Sequence, residues 1–187
     1  MPSDALSTPP LPSFTARVGA QVSVGHTKAV KSPMEDALGA DVRVLPPLLY
    51  AVPLLVLWLV DRVQPLTIPG GPAITWAGWL LVAAGVGISG WGVLTLRGHH
   101  TTVVPHHAVS TIVTTGPYRF SRNPMYVGMT VVYVAVSLLM GSWWPLLAVP
   151  LIVVAVNRLV IAREETYLRR RFGGAYKDFC ERVRRWL

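Results

Sequence analysis

Two short stretches of this sequence hold residue types at spacings that can do chemistry. The first runs from Thr115 to Gly128, where Tyr118, Arg119, Arg122 and Tyr126 are interleaved with Gly116, Pro117, Asn123 and Pro124. Each proline biases its preceding residue away from helix, so the run reads as a shaped, rigid loop. The second is Glu164-Glu165, which follows the last apolar run. Arginine forks suit bidentate binding of a carboxylate, and tyrosines offer a hydroxyl or a ring face for a cation. Two adjacent carboxylates call for cations or hydroxyl donors. A loop that holds an anion and an acid pair that holds cations would together bind a zwitterion.

Such side chains have to be held by something, and the composition says what. The chain has 187 residues, 52% of them hydrophobic and only 14% charged, sorted into apolar and basic blocks. This pattern excludes an ordinary soluble domain and fits a polytopic membrane protein. The net charge of +8 falls mainly in Arg97–Arg122 and Arg163–Arg185. It reads as topology and lipid contact, because the aromatic-basic interleaving of a single-strand binder is missing and no nucleic-acid partner is expected. Cys180 is the single cysteine, which rules out a disulfide within the chain and argues against a cysteine-based metal site.

Four spans are expected, at Val44–Val60, Ala73–Leu96, Met125–Met140 and Pro145–Ala162. The first reaches roughly 26 Å and the second roughly 36 Å at the helical rise, against a hydrocarbon core of about 30 Å. The second carries small residues four apart, Ala83 with Gly87 and Gly85 with Ser89, which let helices approach closely in lipid. Gly141-Ser142-Trp143-Trp144 leaves room only for a tight hairpin between the last two spans. Four spans put both termini on one side. Arg43, Arg97, Arg119, Arg122 and the C-terminal basic block share that side, which the positive-inside rule makes cytoplasmic. Residues 1–43 form a polar tail and residues 44–187 the membrane domain.

The doublets His99-His100 and His106-His107 match no established zinc spacing and have no carboxylate in their loop, so no metal is expected. Beyond Arg163, Leu168, Phe172, Tyr176, Phe179 and Val183 form an apolar stripe, read as an amphipathic surface helix broken at Gly173-Gly174. Helical spacing stacks Asn157 over Glu164 and Arg158 over Glu165, so that Arg158 can pair with Glu165. The ligand that best fits two arginines, two tyrosines and two acids is a nucleoside with an amino group, a ribose diol, a sulfonium and a carboxylate. A bare phosphate fits worse, because no glycine-rich cradle is visible.

The run Gly116-Pro117-Tyr118-Arg119, Arg122-Asn123-Pro124-Met125-Tyr126 and Gly128 resembles the signature of the isoprenylcysteine carboxyl methyltransferase and phospholipid methyltransferase superfamily. So do Glu164-Glu165, Leu168, Phe172-Gly173 and Tyr176, and the segment Thr101-Thr102-Val103-Val104-Pro105 that precedes the signature. The resemblance covers about Trp76 to Leu187. It implies an all-α integral-membrane enzyme that uses S-adenosylmethionine, with a cofactor pocket built by the final two spans, the signature loop and the C-terminal helix. Carried over by residue, cofactor contacts fall on Gly116, Pro117, Tyr118, Arg119, Arg122, Asn123, Pro124, Tyr126, Glu164 and Glu165. Catalytic roles fall on Glu165, Arg122 and Asn123. A Gly-x-Gly of phospholipid methyltransferases corresponds to Gly85-Val86-Gly87 or Gly90-Trp91-Gly92. One departure stands out: the family's usual Arg-His-Pro is Arg122-Asn123-Pro124 here, and an amide cannot titrate.

The partners expected are a lipophilic acceptor, bearing a carboxylate, amine or hydroxyl, and membrane lipids. A carboxylate acceptor needs no base. An amine or hydroxyl needs one, for which Glu165 or a loop histidine stands ready. Two other readings stay open: an NADPH-dependent sterol-reductase-like enzyme with a similar Arg-x-Pro-x-Tyr element, and a non-catalytic lipid-binding membrane protein.

Overall fold

The computed structural model describes residues 44–99, 101 and 111–187. The tail expected over residues 1–43, most of Thr101–Pro105, and three of the four loop histidines lie outside the described residues. The described chain is helical: α1 (Pro46–Val63), α2 (Pro72–Gly98), a 3₁₀ turn (Gly116–Arg119), α3 (Pro124–Leu139), α4 (Trp143–Val156), a π turn (Asn157–Ile161), α5 (Ala162–Phe172) and α6 (Gly174–Arg182). Proline opens α1, α2 and α3, where its missing N–H costs nothing and its fixed φ already suits a helix.

Three helices are long and apolar enough to cross a membrane: α1 with 18 residues, α2 with 27, and the continuous 30-residue helix Trp143–Phe172. The apolar α3 has 16 residues. At about 1.5 Å per residue it reaches roughly 24 Å, less than a full hydrocarbon core.

Glycine decides how α2 and α3 meet. The buried residues of α2 are Gly78, Gly85 and Gly92, spaced by two turns and so aligned on one face. A Cβ on Gly85 would lie 2.7 Å from the carbonyl oxygen of Gly128, and one on Gly128 would lie 2.5 Å from that of Gly85. Backbone therefore touches backbone at this crossing, and the Ser89 hydroxyl donates to the Met125 carbonyl at 3.3 Å beside it. Of the two small pairs expected, Gly85 with Ser89 makes the contact. Gly87 lies on the exposed face, with nothing within 4 Å of an added Cβ.

The end of the bundle away from the Arg122 loop is stitched by one carboxylate. Asp61 accepts from the Ser142 hydroxyl at 2.8 Å and from the Leu66 N–H at 3.1 Å. Ile68 donates to the Gly141 carbonyl at 2.7 Å and Trp144 Nε1 to the Gln64 carbonyl at 2.8 Å. The α1–α2 connection is thereby fixed to the α3–α4 turn.

The last span differs from expectation in two ways. It does not stop at Ala162 but runs on into α5, reaching roughly 45 Å at the helical rise, so its acid-bearing part outruns a hydrocarbon core of about 30 Å. A π turn at Asn157–Ile161 also inserts an extra residue into the winding. The straight-helix stacking of Arg158 on Glu165 is lost. Arg158 is exposed, while Asn157 Oδ1 accepts from Trp186 Nε1 at 3.1 Å.

The helix break falls at Gly173, with φ +52°, as the glycine pair suggests. The apolar stripe is covered by protein. Tyr176 and Phe179 are buried with Val113 and Tyr118, flanked by Leu168, Phe172 and Val183. The stripe covers the signature loop because that loop presents its own apolar side chains.

Candidate functional site

The loop is laid against the end of α2 by Gly116. Its φ is +58°, and a Cβ there would meet Thr95 Oγ1 at 2.8 Å and Trp91 Nε1 at 3.3 Å, so both conformation and space call for glycine. Thr115 Oγ1 meets His99 Nε2 at 2.8 Å. The following 3₁₀ turn buries Pro117 and Tyr118. Asn123 then caps α3, its carbonyl accepting from the Tyr126 and Val127 N–H groups at 3.0 and 3.1 Å.

Two acid-centred contacts join this loop to α5. Glu165 is 5% exposed. Its carboxylate accepts from Arg185 Nε at 2.9 Å and Arg185 Nη2 at 2.6 Å, with Arg122 Nη2 at 3.3 Å and Arg169 Nη2 at 3.8 Å. A buried carboxylate is costly unless paired, and a bidentate arginine is the strongest partner a side chain supplies. The neighbouring Glu164 accepts a 2.8 Å hydrogen bond from Tyr126 Oη. No ion pair to Glu164 occurs among the described residues.

Among the described residues, three polar features are left without partners or only partly engaged. Arg122 gives Nη2 to Glu165 and Nη1 to Cys180 Sγ, but its Nε is buried without a partner. Tyr118 Oη is likewise buried and unpartnered. Burial first, and the nearby Glu164 charge second, push the Tyr118 hydroxyl above its usual range, so it remains a neutral donor. Glu164 has a donor in Tyr126 but no cation among the described residues. Two idle donors and one carboxylate short of a cation are what a zwitterionic ligand would complete.

The structure therefore brings together Tyr118, Arg122, Asn123, Tyr126, Glu164 and Glu165. Pro117 and Pro124 are buried beneath them as scaffold. Arg119 is exposed and its guanidinium stacks over Phe120 at 5.3 Å, away from the acid pair. Asn123 directs its amide to the Arg185 carbonyl at 2.9 Å. Among the described residues no group of three His, Cys, Asp or Glu side chains is arranged for a metal. Sequence reasoning missed Arg185, hidden in a basic block read as lipid-facing, and Tyr50. The Tyr50 hydroxyl meets the Tyr126 carbonyl at 3.3 Å and Thr130 Oγ1 at 3.1 Å. An arginine within reach of a buried acid carries no periodic signal, so only the fold reveals it.

The family model described as phospholipid methyltransferase matches residues 73–175, from the start of α2 into α6. The chain belongs to the phospholipid methyltransferase family. An "Uncharacterized protein" of Haemophilus influenzae is 38% identical over 63 residues, 34% of this chain and the whole of that protein. No solved structure matches the chain. The phospholipid methyltransferase match contains the loop, α3 and both acids, and the apolar helices agree with a membrane methyltransferase. It ends before Arg185.

Proposed function

We propose that this protein is a four-span membrane methyltransferase that takes S-adenosylmethionine as donor and methylates a lipophilic acceptor at the cytoplasmic membrane face. One observation carries the reading: the loop and the acid pair meet, at 2.8 Å between Tyr126 and Glu164 and 3.3 Å between Arg122 and Glu165, where the last apolar span ends. When bound, the cofactor supplies an electrophilic methyl group on a sulfonium.

The residues present fit such a group. Arg122 Nε would hold its carboxylate and Glu164 its amino group or ribose hydroxyls, while Tyr118 donates a neutral hydrogen bond. Gly116 keeps the loop against α2, and Pro117, Pro124 and Asn123 fix its shape. Glu165 balances the charge of Arg122 and Arg185 rather than meeting the ligand first, since its own oxygens are held by arginine donors.

Holding two reactants in line supplies much of a displacement's acceleration, up to about 7–11 kcal/mol in favourable cases. Asn123 cannot titrate, and its amide is engaged by Arg185. The basic loop and tail favour a cytoplasmic site by the positive-inside rule.

The test is to give the purified protein methyl-labelled S-adenosylmethionine with a membrane lipid extract and, separately, with a prenylcysteine mimic. Label in an organic-phase product supports the proposal and identifies the acceptor class. No label in either, under conditions where the protein is folded, contradicts it.

A further inference from the structure

Arg184, Arg185 and Trp186 are each tied to the site or to the helix that carries it. Beyond α6 the backbone is extended at Val183. The Arg184 carbonyl then accepts from the Arg122 N–H at 2.9 Å. The Arg185 carbonyl accepts from Asn123 Nδ2 at 2.9 Å and from Ser121 Oγ at 3.3 Å. The Arg185 side chain grips both oxygens of Glu165, and Trp186 reaches Asn157 in the π turn. Arg184, Arg185 and Trp186 lie outside the family-matched residues 73–175, while each of their partners lies within them.

The arrangement matters because Glu165 has only two oxygens. Arg185 approaches them at 2.9 and 2.6 Å, closer than Arg122 at 3.3 Å. The Glu165 hydrogen bonds hold the Arg185 guanidinium above its usual range, so it stays charged. Arg122 is therefore only partly engaged, and its Nε remains a buried donor with no partner among the described residues. Without Arg185, Arg122 is the nearer of the two cations left on Glu165, since Arg169 stands at 3.8 Å and is largely exposed. A buried carboxylate would draw Arg122 into full bidentate pairing.

We propose that Arg185 is a positioning residue of the cofactor site: by occupying Glu165, it keeps Arg122 available for the anionic end of the ligand. This rests on the cofactor reading above. It adds that the C-terminal segment controls how much of Arg122 the ligand meets.

The experiment is calorimetric titration of S-adenosylhomocysteine into the full-length protein, with melting temperatures of the ligand-free forms measured in parallel. The variants are Arg185→Ala, Arg185→Lys and the double Arg185→Ala/Glu165→Gln. Arg185→Ala should weaken binding about tenfold or more, the scale of one lost charge-assisted hydrogen bond. Arg185→Lys should recover part of that, because an ammonium neutralises Glu165 without the fork.

The double variant should bind within about threefold of wild type, since nothing then pulls Arg122 aside. A role confined to clamping the terminus predicts instead that the double binds no better than Arg185→Ala, and that result overturns the inference. So does Arg185→Ala binding within about twofold of wild type. If Arg185→Ala does not fold, the double variant and Arg185→Lys still decide: weak binding by a folded double variant overturns the inference. Failure of the wild type to bind S-adenosylhomocysteine would instead overturn the cofactor reading itself.

Discussion

Tyr126 donates a 2.8 Å hydrogen bond to Glu164 across 38 positions of sequence, tying the first turn of α3 to α5. Its neighbour Glu165 faces three arginines, whereas Glu164 has no ion pair among the described residues. The two acids are adjacent in sequence and different in circumstance. Glu164→Gln should leave the fold intact, moving the melting temperature by only a few degrees, since an amide oxygen can still accept from Tyr126. It should weaken S-adenosylhomocysteine binding about tenfold by removing the charge that would meet a ligand cation. Calorimetry on the folded variant checks this.

Glu165→Gln should behave in the opposite way. It leaves Arg122 and Arg185 facing each other without their shared carboxylate. Breaking a buried pair on one side costs about 3–5 kcal/mol when both partners are buried. Arg185 keeps 40% of its side-chain surface, so a loss of roughly 2–3 kcal/mol is expected after allowing for solvent screening. Thermal unfolding in detergent reads it, and a stability equal to wild type would show that the cluster contributes nothing.

Asn123 stands where the resemblance implies a histidine. What it does is donate, from Nδ2 to the Arg185 carbonyl, and an imidazole N–H can do the same. Asn123→His should therefore keep S-adenosylhomocysteine affinity within about threefold, and Asn123→Ala should lose about tenfold by freeing the C-terminal segment. Equal affinities for the two variants would remove Asn123 from the account.

The α2–α3 crossing makes a prediction far from the acids. Gly85→Ala puts a methyl 2.7 Å from the Gly128 carbonyl oxygen, which is backbone and cannot swing aside. Overpacking of this kind costs about 1–3 kcal/mol. Gly87→Ala meets nothing within 4 Å and should be neutral or stabilising by up to about 1 kcal/mol, the helix-propensity difference. Unfolding of both variants in the same detergent gives the comparison.

The apolar blocks, the proline-shaped loop and the twin acids could be read from sequence because each is a local signal: a long hydrophobic run, a turn chemistry, an unusual pair of charges. The helix break at Gly173-Gly174 was equally legible. Three features were not. The π turn at Asn157–Ile161 has no composition of its own, and it cancels the straight-helix pairing of Arg158 with Glu165. The apolar stripe of α6 has the periodicity of a lipid-facing helix, yet Tyr118 and Val113 cover it. Arg185 sits in a run of arginines that composition assigns to headgroups, and only the return of the chain to Glu165 sets it apart.

The central claim is that the loop and the acid pair form one binding site for a zwitterionic nucleoside. Calorimetric titration of the wild-type protein with S-adenosylhomocysteine, and separately with NADPH, tests it most directly. The account predicts saturable one-to-one binding of S-adenosylhomocysteine, diminished by Glu164→Gln, and none of NADPH. Binding of NADPH alone, or of neither ligand by the folded protein, would contradict it.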